Sequence, residues 1–286
     1  MAEITAYHGE RRAAAGDASS VGQPLARGSW KDSKLVSPGL LVIVLLAWEG
    51  VVRALGIPGI VLPPPSAVLA ALWQGIVSGL FLPHFLVTLW EILSGFVIGA
   101  GVGILLGILI GQSAFLERVF YPYVVAFQTL PKVAVAPIIV IWFGYGLGSK
   151  IIITATIAFF PVLANTIVGL RSVPRDQIDM LRAFTADEWQ IFRMARLPQA
   201  LPFIFVGLDV AIVLSVIGAI VGEFVGAKSG LGYLILQKNF TFDMAGVFAI
   251  LLILSLIGVG LHLLVVAVQR KVLFWADSTQ HEFTGA

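Results

Sequence analysis

Four ionisable side chains, Glu91, Lys132, Asp209 and Glu223, lie inside long apolar stretches of the sequence. In hydrocarbon such a charge costs at least about 2.5–3.5 kcal/mol at mid-depth, so each needs a partner or a wet surface, and the chemistry they suit is passage of a polar solute. Glu91 stands four residues before Gly95, on the same helical face and facing protein. Lys132 sits between Pro131 and Pro137, whose missing backbone donors must kink or interrupt a helix and leave carbonyls free beside it. Asp209 falls about two turns into its apolar run, and Glu223 lies near the end of the same run. Two readings stay open for these residues: satisfaction by interhelical hydrogen bonds, or lining of a translocation pathway.

No constellation for catalysis accompanies them. No nucleophile stands beside a base, and no paired carboxylates have a useful spacing. His262 is alone on an apolar run, the setting of a packed, hydrogen-bonded histidine, so no metal site is expected. The chain has no cysteine, which excludes disulfides and thiolate ligands. Gly144, Gly146, Gly148, Ser149 and Lys150 superficially resemble a phosphate loop. The spacing fails, because Ser149 stands five after Gly144 and Ile151 follows Lys150 where Ser or Thr is required, so no ATP site and no bound cofactor are expected. A net charge of +2 with no basic stripe excludes a nucleic-acid partner.

The elements that position these residues follow from composition. Apolar residues make up 58% of the chain and charged residues 12%, against roughly a quarter charged in soluble domains. Measured against the roughly 20 apolar residues that cross a bilayer core, six segments fit: 38–55, 86–111, 120–143, 149–170, 203–225 and 244–268. The fold class expected is all-α, a polytopic bundle of about six transmembrane helices. Residues 1–34 read as a disordered cytoplasmic tail, 35–273 as one membrane domain and 274–286 as a C-terminal tail. The stretch 61–81, opened by Pro63, Pro64 and Pro65, reads as an interfacial helix. Glu49 and Arg53, four apart, pair within one turn. Basic residues favour the cytoplasmic side. With both termini inside, the inner set is Arg11, Arg12, Arg27, Lys31, Lys34, Arg118, Arg171, Arg175, Arg182, Arg193, Arg196, Arg270 and Lys271, and the outer set only Arg53, Lys150, Lys228 and Lys238. Gly95, Gly99, Gly103, Gly107 and Gly111 recur every four residues, as do Gly218, Gly222 and Gly226, which marks packing faces before pore linings.

One polar stretch interrupts the body, 171–200. Within it Trp189, Phe192 and Leu197 recur near helical spacing among polar Glu188, Gln190, Arg193 and Arg196, giving an amphipathic helix. Thr185 and Glu188 match a capping box, so the helix is expected to start at Ala186 and to end at Pro198. With a second short helix over 175–183 it forms either a knob that binds a partner or a helix resting on the lipid surface.

At these residues the chain resembles the inner-membrane permeases of ABC importers, in their nitrate, sulfonate and taurine branch. Asp179 to Pro198 is similar to the family's EAA loop, with Leu197-Pro198 as its Leu-Pro and Trp189, Gln190 and Phe192 as residues common in the branch. Leu62-Pro63-Pro64-Pro65-Ser66, Leu130-Pro131-Lys132-Val133-Ala134, Trp142-Phe143-Gly144 and Gly230-Leu231-Gly232-Tyr233 match in order. Asp179-Met180-Leu181 stands where Glu-Ala-Ala is usual and Thr185 where glycine is usual, with the capping box as another way to break the helix there. The resemblance implies a type I importer permease, non-catalytic and homodimeric, in the bacterial inner membrane. Its partners would be ATPase subunits carrying ATP and magnesium, and an extracytoplasmic binding protein. Asp179, Thr185, Ala186, Asp187, Glu188, Trp189, Phe192 and Pro198 would couple it to the ATPases. A small oxyanion or sulfonate is the implied substrate. Glu91 and Asp209 stand where the branch often carries arginine, which leaves a vitamin-precursor heterocycle open. An autonomous secondary transporter using Glu91, Lys132 and Asp209 is the reading from another class.

Overall fold

The computed structural model describes residues 30–275, which form helices joined by short turns, with no strand among the described residues. The first helix, α1 (Trp30–Ala54), belongs to a separate unit that ends at Leu55. It begins inside the segment expected as a tail to residue 34; residues 1–29 and 276–286, where the rest of the two expected tails fall, lie outside the described residues. Arg53 reaches back to Glu49 at 2.6 Å, as their spacing dictates.

The second unit opens with α2 (Pro65–Val77), started by Pro64 in extended backbone and Pro65 in the first turn, where a missing N–H costs nothing. At 13 residues it is too short to cross a bilayer. Then come α3 (Phe81–Gln112), α4 (Ala114–Thr129), α5 (Lys132–Phe143), α6 (Leu147–Arg171), α7 (Arg175–Ala183), α8 (Glu188–Ile191), α9 (Leu197–Gly226), α10 (Leu231–Phe240) and α11 (Met244–Val272). Among the described residues, four helical runs have the length and apolarity to cross a membrane: α3, α6, α11 and the continuous run Glu188–Gly226. The pair α4–α5 makes a fifth segment, bent by 94°. Among the described residues this gives up to five of the about six spans expected from the sequence; the first expected segment, 38–55, falls on α1, which does not stand among them.

The bend falls at Leu130-Pro131, both in non-helical backbone, with the helix restarting at Lys132. Pro131 interrupts the span; Pro137 is accommodated within α5. The register of the neighbouring helices settles what the pair does. Every glycine of the α3 stripe lies against α6: a methyl at Gly95 would meet Thr154 Cγ2 at 2.5 Å, at Gly103 the carbonyl of Phe159 at 2.9 Å, and at Gly111 Leu170 Cδ1 at 2.9 Å. The two helices therefore run parallel, and α4–α5 must carry the chain from one end of the bundle to the other. A re-entrant loop would return it to the same end.

On its other side α6 meets α9 antiparallel, Gly207 against Pro161 and Val162, Gly218 against Thr154, Gly222 against Lys150. Both glycine stripes are thus packing faces, with α6 at the centre, its Ile153, Ile157, Val162 and Ile167 fully buried. Small residues let these backbones approach where lipid supplies no hydrophobic drive. A second core joins α3, α9, α10 and α11 through Ile92, Ile212, Leu234, Ile250 and Leu254.

Lys150, read from the sequence as an outer flanking charge, is corrected: it is 5% exposed, its stem lying on Gly222 and its ammonium 3.4 Å from the carbonyl of Gly146. The absent side chain at Gly222 makes that room.

At the same end Asp243 caps α11, accepting from Gly246 N–H at 2.9 Å and from Lys238 Nζ at 2.8 Å. Burial pushes its carboxyl up, but the bonds from Lys238 and Gly246 and the lysine charge outweigh this and hold it below the usual aspartate range. Its stabilising contribution is therefore complete above the unfolded value of about 3.9 and fades as pH falls through the lower folded value. Asp243→Ala is expected to cost about 1 kcal/mol at neutral pH, mostly the lost cap, since the ion pair is half-exposed. The gap in thermal stability from wild type should close on acidification below pH of about 4, read by thermal unfolding in detergent at several pH values.

Candidate functional site

The polar loop between α6 and α9 departs from the expected knob of two short helices. α7 is exposed except at Ile178 and Leu181, which are half-buried, and ends in two bonds, Thr185 N–H to the Arg182 carbonyl at 2.9 Å and Ala186 N–H to the Leu181 carbonyl at 3.1 Å. This is the Schellman arrangement, which places the residue after the cap in left-handed backbone, normally glycine. Here it is Thr185, at φ 62°. The expected capping box at Thr185 and Glu188 is absent, and the cap sits two residues on: Asp187 Oδ1 accepts from Gln190 N–H at 2.7 Å, and Gln190 Oε1 accepts from Asp187 N–H at 2.9 Å. Thr185 breaks the helix by adopting the glycine conformation, at a cost of about 1–2 kcal/mol for an L-residue. Thr185→Gly is accordingly expected to stabilise the loop by up to about 1 kcal/mol after the extra freedom of glycine in the unfolded chain is subtracted. Slower tryptic cleavage at Arg175 and Arg182 would register it, and unchanged or faster cleavage would refute it.

Pro198 does not end the second helix either. α8 passes into a π-turn, Phe192–Arg196, in which Leu197 N–H bonds the Phe192 carbonyl, and this runs straight into α9. The wider turn puts Pro198 in the first turn of the restarted α-helix, where it needs no N–H partner. The segment is thus the N-terminal extension of a 39-residue helix. Ile191, Phe192 and Ala195 are buried, Phe192 in a cluster with Leu170, Ala200 and Ile204 from α6 and α9. Arg182 joins the pieces from outside, bonding Glu188 at 2.9 Å with Asp179 at 3.9 Å, while Arg196 reaches Glu188 at 3.6 Å. The bond to Glu188, and then its charge, raise the Arg182 guanidinium above its ordinary range. Arg171 and Glu117 pair beside them, tying the end of α6 to the start of α4. Trp189 stacks on Phe192 with centroids 5.5 Å apart yet is 67% exposed, and Phe184, at 77%, Met180 and Met194 are exposed beside it.

The four intramembrane candidates separate. Lys132 opens α5 at the bend, its ammonium 3.4 Å from the Gln128 carbonyl and 5.2 Å from the Phe160 ring. It lines a cavity of 300 Å³ with Phe127, Ile153, Thr156 and Phe160. Asp209 bonds His262 Nδ1 at 2.5 Å between α9 and α11, so His262 is a hydrogen-bonded partner. Glu91 and Glu223 come together at the end of the bundle opposite the loop. Glu223 Oε1 accepts from Thr88 Oγ1 at 2.6 Å and its other oxygen from Gly232 N–H. Glu91 is fully buried with its carboxyl beside that of Glu223, and Lys150 lies near enough to act on Glu91. Sequence reasoning missed Thr88, His84 and Lys150 here; the signal available was the Gly230-x-Gly232 pair, whose added methyls would strike the Glu223 carboxylate. Among the described residues no group of three or more acids and histidines is placed to hold a metal ion.

Residues 103–274 match the family model described as "Binding-protein-dependent transport system inner membrane component". Over 84% of its length the chain is 39% identical to the riboflavin transport system permease protein RibX of Chloroflexus aurantiacus, of which it covers 90%. It is 38% identical to the formylaminopyrimidine transport permease protein ThiX of Halalkalibacterium halodurans, over 78% of this chain and 89% of that one. With the putative aliphatic sulfonates transport permease protein SsuC of Bacillus subtilis the identity is 32%, over 84% and 88%. The fold is shared with a chain of the MetNI methionine ABC transporter in inward-facing form, at a TM-score of 0.53, 22% identity, and coverage of 74% of this chain and 98% of that one. With a family model spanning more than half its length and relatives above 30% identity, this chain belongs to the binding-protein-dependent inner-membrane components, the permeases of ABC importers.

Proposed function

We propose that the chain, as two copies, forms the solute pathway of an ATP-driven importer and is moved by ATPase subunits docking on residues 175–198. The observation that carries this is the set of exposed apolar side chains Met180, Phe184, Trp189 and Met194 on an otherwise charged loop, whose pieces are tied to one another by Arg182–Glu188–Arg196 and to α6 and α9 by Phe192. A partly apolar protrusion on a braced frame suits a rigid partner groove. Asp179, Thr185, Ala186, Asp187 and Glu188 frame the patch, and Pro198 hands it to the span. The loop faces the cytoplasm, with both termini on that side. ATP and magnesium reside on the partners, this chain does no chemistry, and an extracytoplasmic binding protein delivers the solute.

For the solute we favour a flat nitrogen heterocycle over a sulfonate. Support comes from the relatives named for riboflavin and formylaminopyrimidine and from the cavity at the bend, where Phe127 and Phe160 stack at 6.3 Å beside Lys132. Its 300 Å³ is the lower end of small-molecule pockets. The test is uptake into proteoliposomes holding the chain, its ATPase subunits and its binding protein. ATP-dependent accumulation of riboflavin or an aminopyrimidine, absent with the chain alone, is the expected result. Uptake of taurine alone would overturn the substrate reading, and flux through the chain without ATPases would overturn the function.

A further inference from the structure

The buried junction at the end opposite the loop joins four elements. Thr88 on α3 donates to Glu223 on α9 and accepts from Leu231 N–H at 2.8 Å. Glu223 in turn accepts from Gly232 N–H, so its carboxylate seats on the first amides of α10. Gly230 N–H donates to His84 Nδ1 at 3.0 Å, and the His84 ring lies parallel to Tyr233. Lys150 of α6 and Glu91 of α3 complete the group. Thr88, Glu91, Glu223 and Leu231 are all essentially inaccessible. Gly230 stands at φ 113° and, like Gly232, has the carboxylate where a side chain would go.

The helices that end at this junction are the ones that hold the loop at their other ends. α6 (Leu147–Arg171) carries Lys150 in its first turn and delivers the chain to α7; α9 leaves the loop at Leu197 and carries Glu223 in its last turn. Between them Gly207, Gly218 and Gly222 allow backbone-close packing along the pair, which therefore shifts as one piece. The covalent link from α9 to α10 is Ala227 to Gly230, non-helical. Beyond it the two helices share the apolar core of Ile212, Val216, Leu231 and Leu234, and the Glu223 carboxyl is the polar contact that fixes the start of α10 to α9.

We propose that Glu223 is a positioning residue that transmits displacement of the α6–α9 pair, imposed at the loop, to α10, so that this outer helix follows the ATPase cycle. This rests on the coupling reading above. Thr88 holds the carboxylate at the correct angle and ties α3 into the same movement.

The chain has no cysteine, so Phe240→Cys, at a position 81% exposed on α10, supplies one thiol per copy for a spin label in a full transporter whose partner subunits have had their cysteines replaced. ATP with magnesium is expected to change the label's mobility in the otherwise wild-type complex. With Glu223→Gln, which keeps the shape but replaces one of the two acceptor oxygens by a donor, that change is lost while ATP hydrolysis and the melting temperature stay near wild type; Glu223→Asp restores part of it. A merely structural role would lower the melting temperature and leave the ATP response. Thr88→Val is the second variant should Glu223→Gln fail to assemble, with the same loss expected. An undiminished response in either variant, or no response in a wild-type complex that hydrolyses ATP, overturns the proposal. Failure of the ATPase to associate at all overturns the coupling reading instead.

Discussion

Trp189→Glu in the assembled transporter is expected to lower ATP-driven uptake by roughly 30-fold or more while leaving the chain inserted and folded, since a charge forced unpaired into an interface costs about 2–5 kcal/mol and each 1.4 kcal/mol is a factor of ten. The side chain is mostly exposed, so within the chain the substitution gives up only the stack on Phe192, about 0.5–1.5 kcal/mol. Trp189→Phe keeps an aromatic surface and should retain most transport. Ala186→Glu, at the turn between α7 and α8, tests the same surface from the other helix. Three measurements separate the possibilities: uptake, the amount of ATPase co-purifying with the chain, and the melting temperature in detergent. Loss of uptake and of co-purification at a near-native melting temperature is the expected pattern. Full uptake by Trp189→Glu would remove this loop from the coupling path.

What the sequence disclosed was whatever a single helix determines by itself. The spans were legible because an apolar run of spanning length has few other uses. The glycine stripe was legible as packing because five glycines on one face remove every side chain a neighbour would have to avoid. The Glu49–Arg53 pair needed only spacing. Thr185 showed the boundary of such reasoning: a capping-box pattern is satisfied by residue types, but the backbone took the left-handed cap, because the Schellman bonds to Leu181 and Arg182 outweighed the strain in a β-branched residue. Pro198 misled for a related reason. Proline forbids an α-bond to the residue four before it, and a π-turn evades that rule by changing the spacing. Glu223 stood out as a charge in an apolar run, but its partners at the buried junction did not, since Thr88 is 135 residues away and nothing local to either names the other. Lys150 looked like an outer flanking charge for the same reason; only α9 packing across it reveals the burial.

Gly99→Ala should be the most damaging single methyl in the bundle. A Cβ there is driven into the peptide carbonyl of Ala155, with the Ala155 Cα and carbonyl carbon 3.0 Å away, and backbone has no rotamer by which to yield. α3 and α6 would have to separate along a contact that also includes Gly95, Gly103 and Gly107, opening gaps at each. Overpacking of this kind costs about 1–3 kcal/mol and sometimes more, and between helices in lipid no gain in hydrophobic burial offsets it. Gly101 supplies the control on the same helix, because a methyl there meets nothing within 4 Å. Gly101→Ala should be neutral or stabilising by up to about 1 kcal/mol through helix propensity alone. The comparison is the fraction of chain that remains monodisperse in detergent after heating, with the two variants expected to fall on opposite sides of wild type. Equal survival of Gly99→Ala and Gly101→Ala would mean that α3 and α6 are not in backbone contact. The parallel register that makes α4–α5 a crossing span would then lose its foundation.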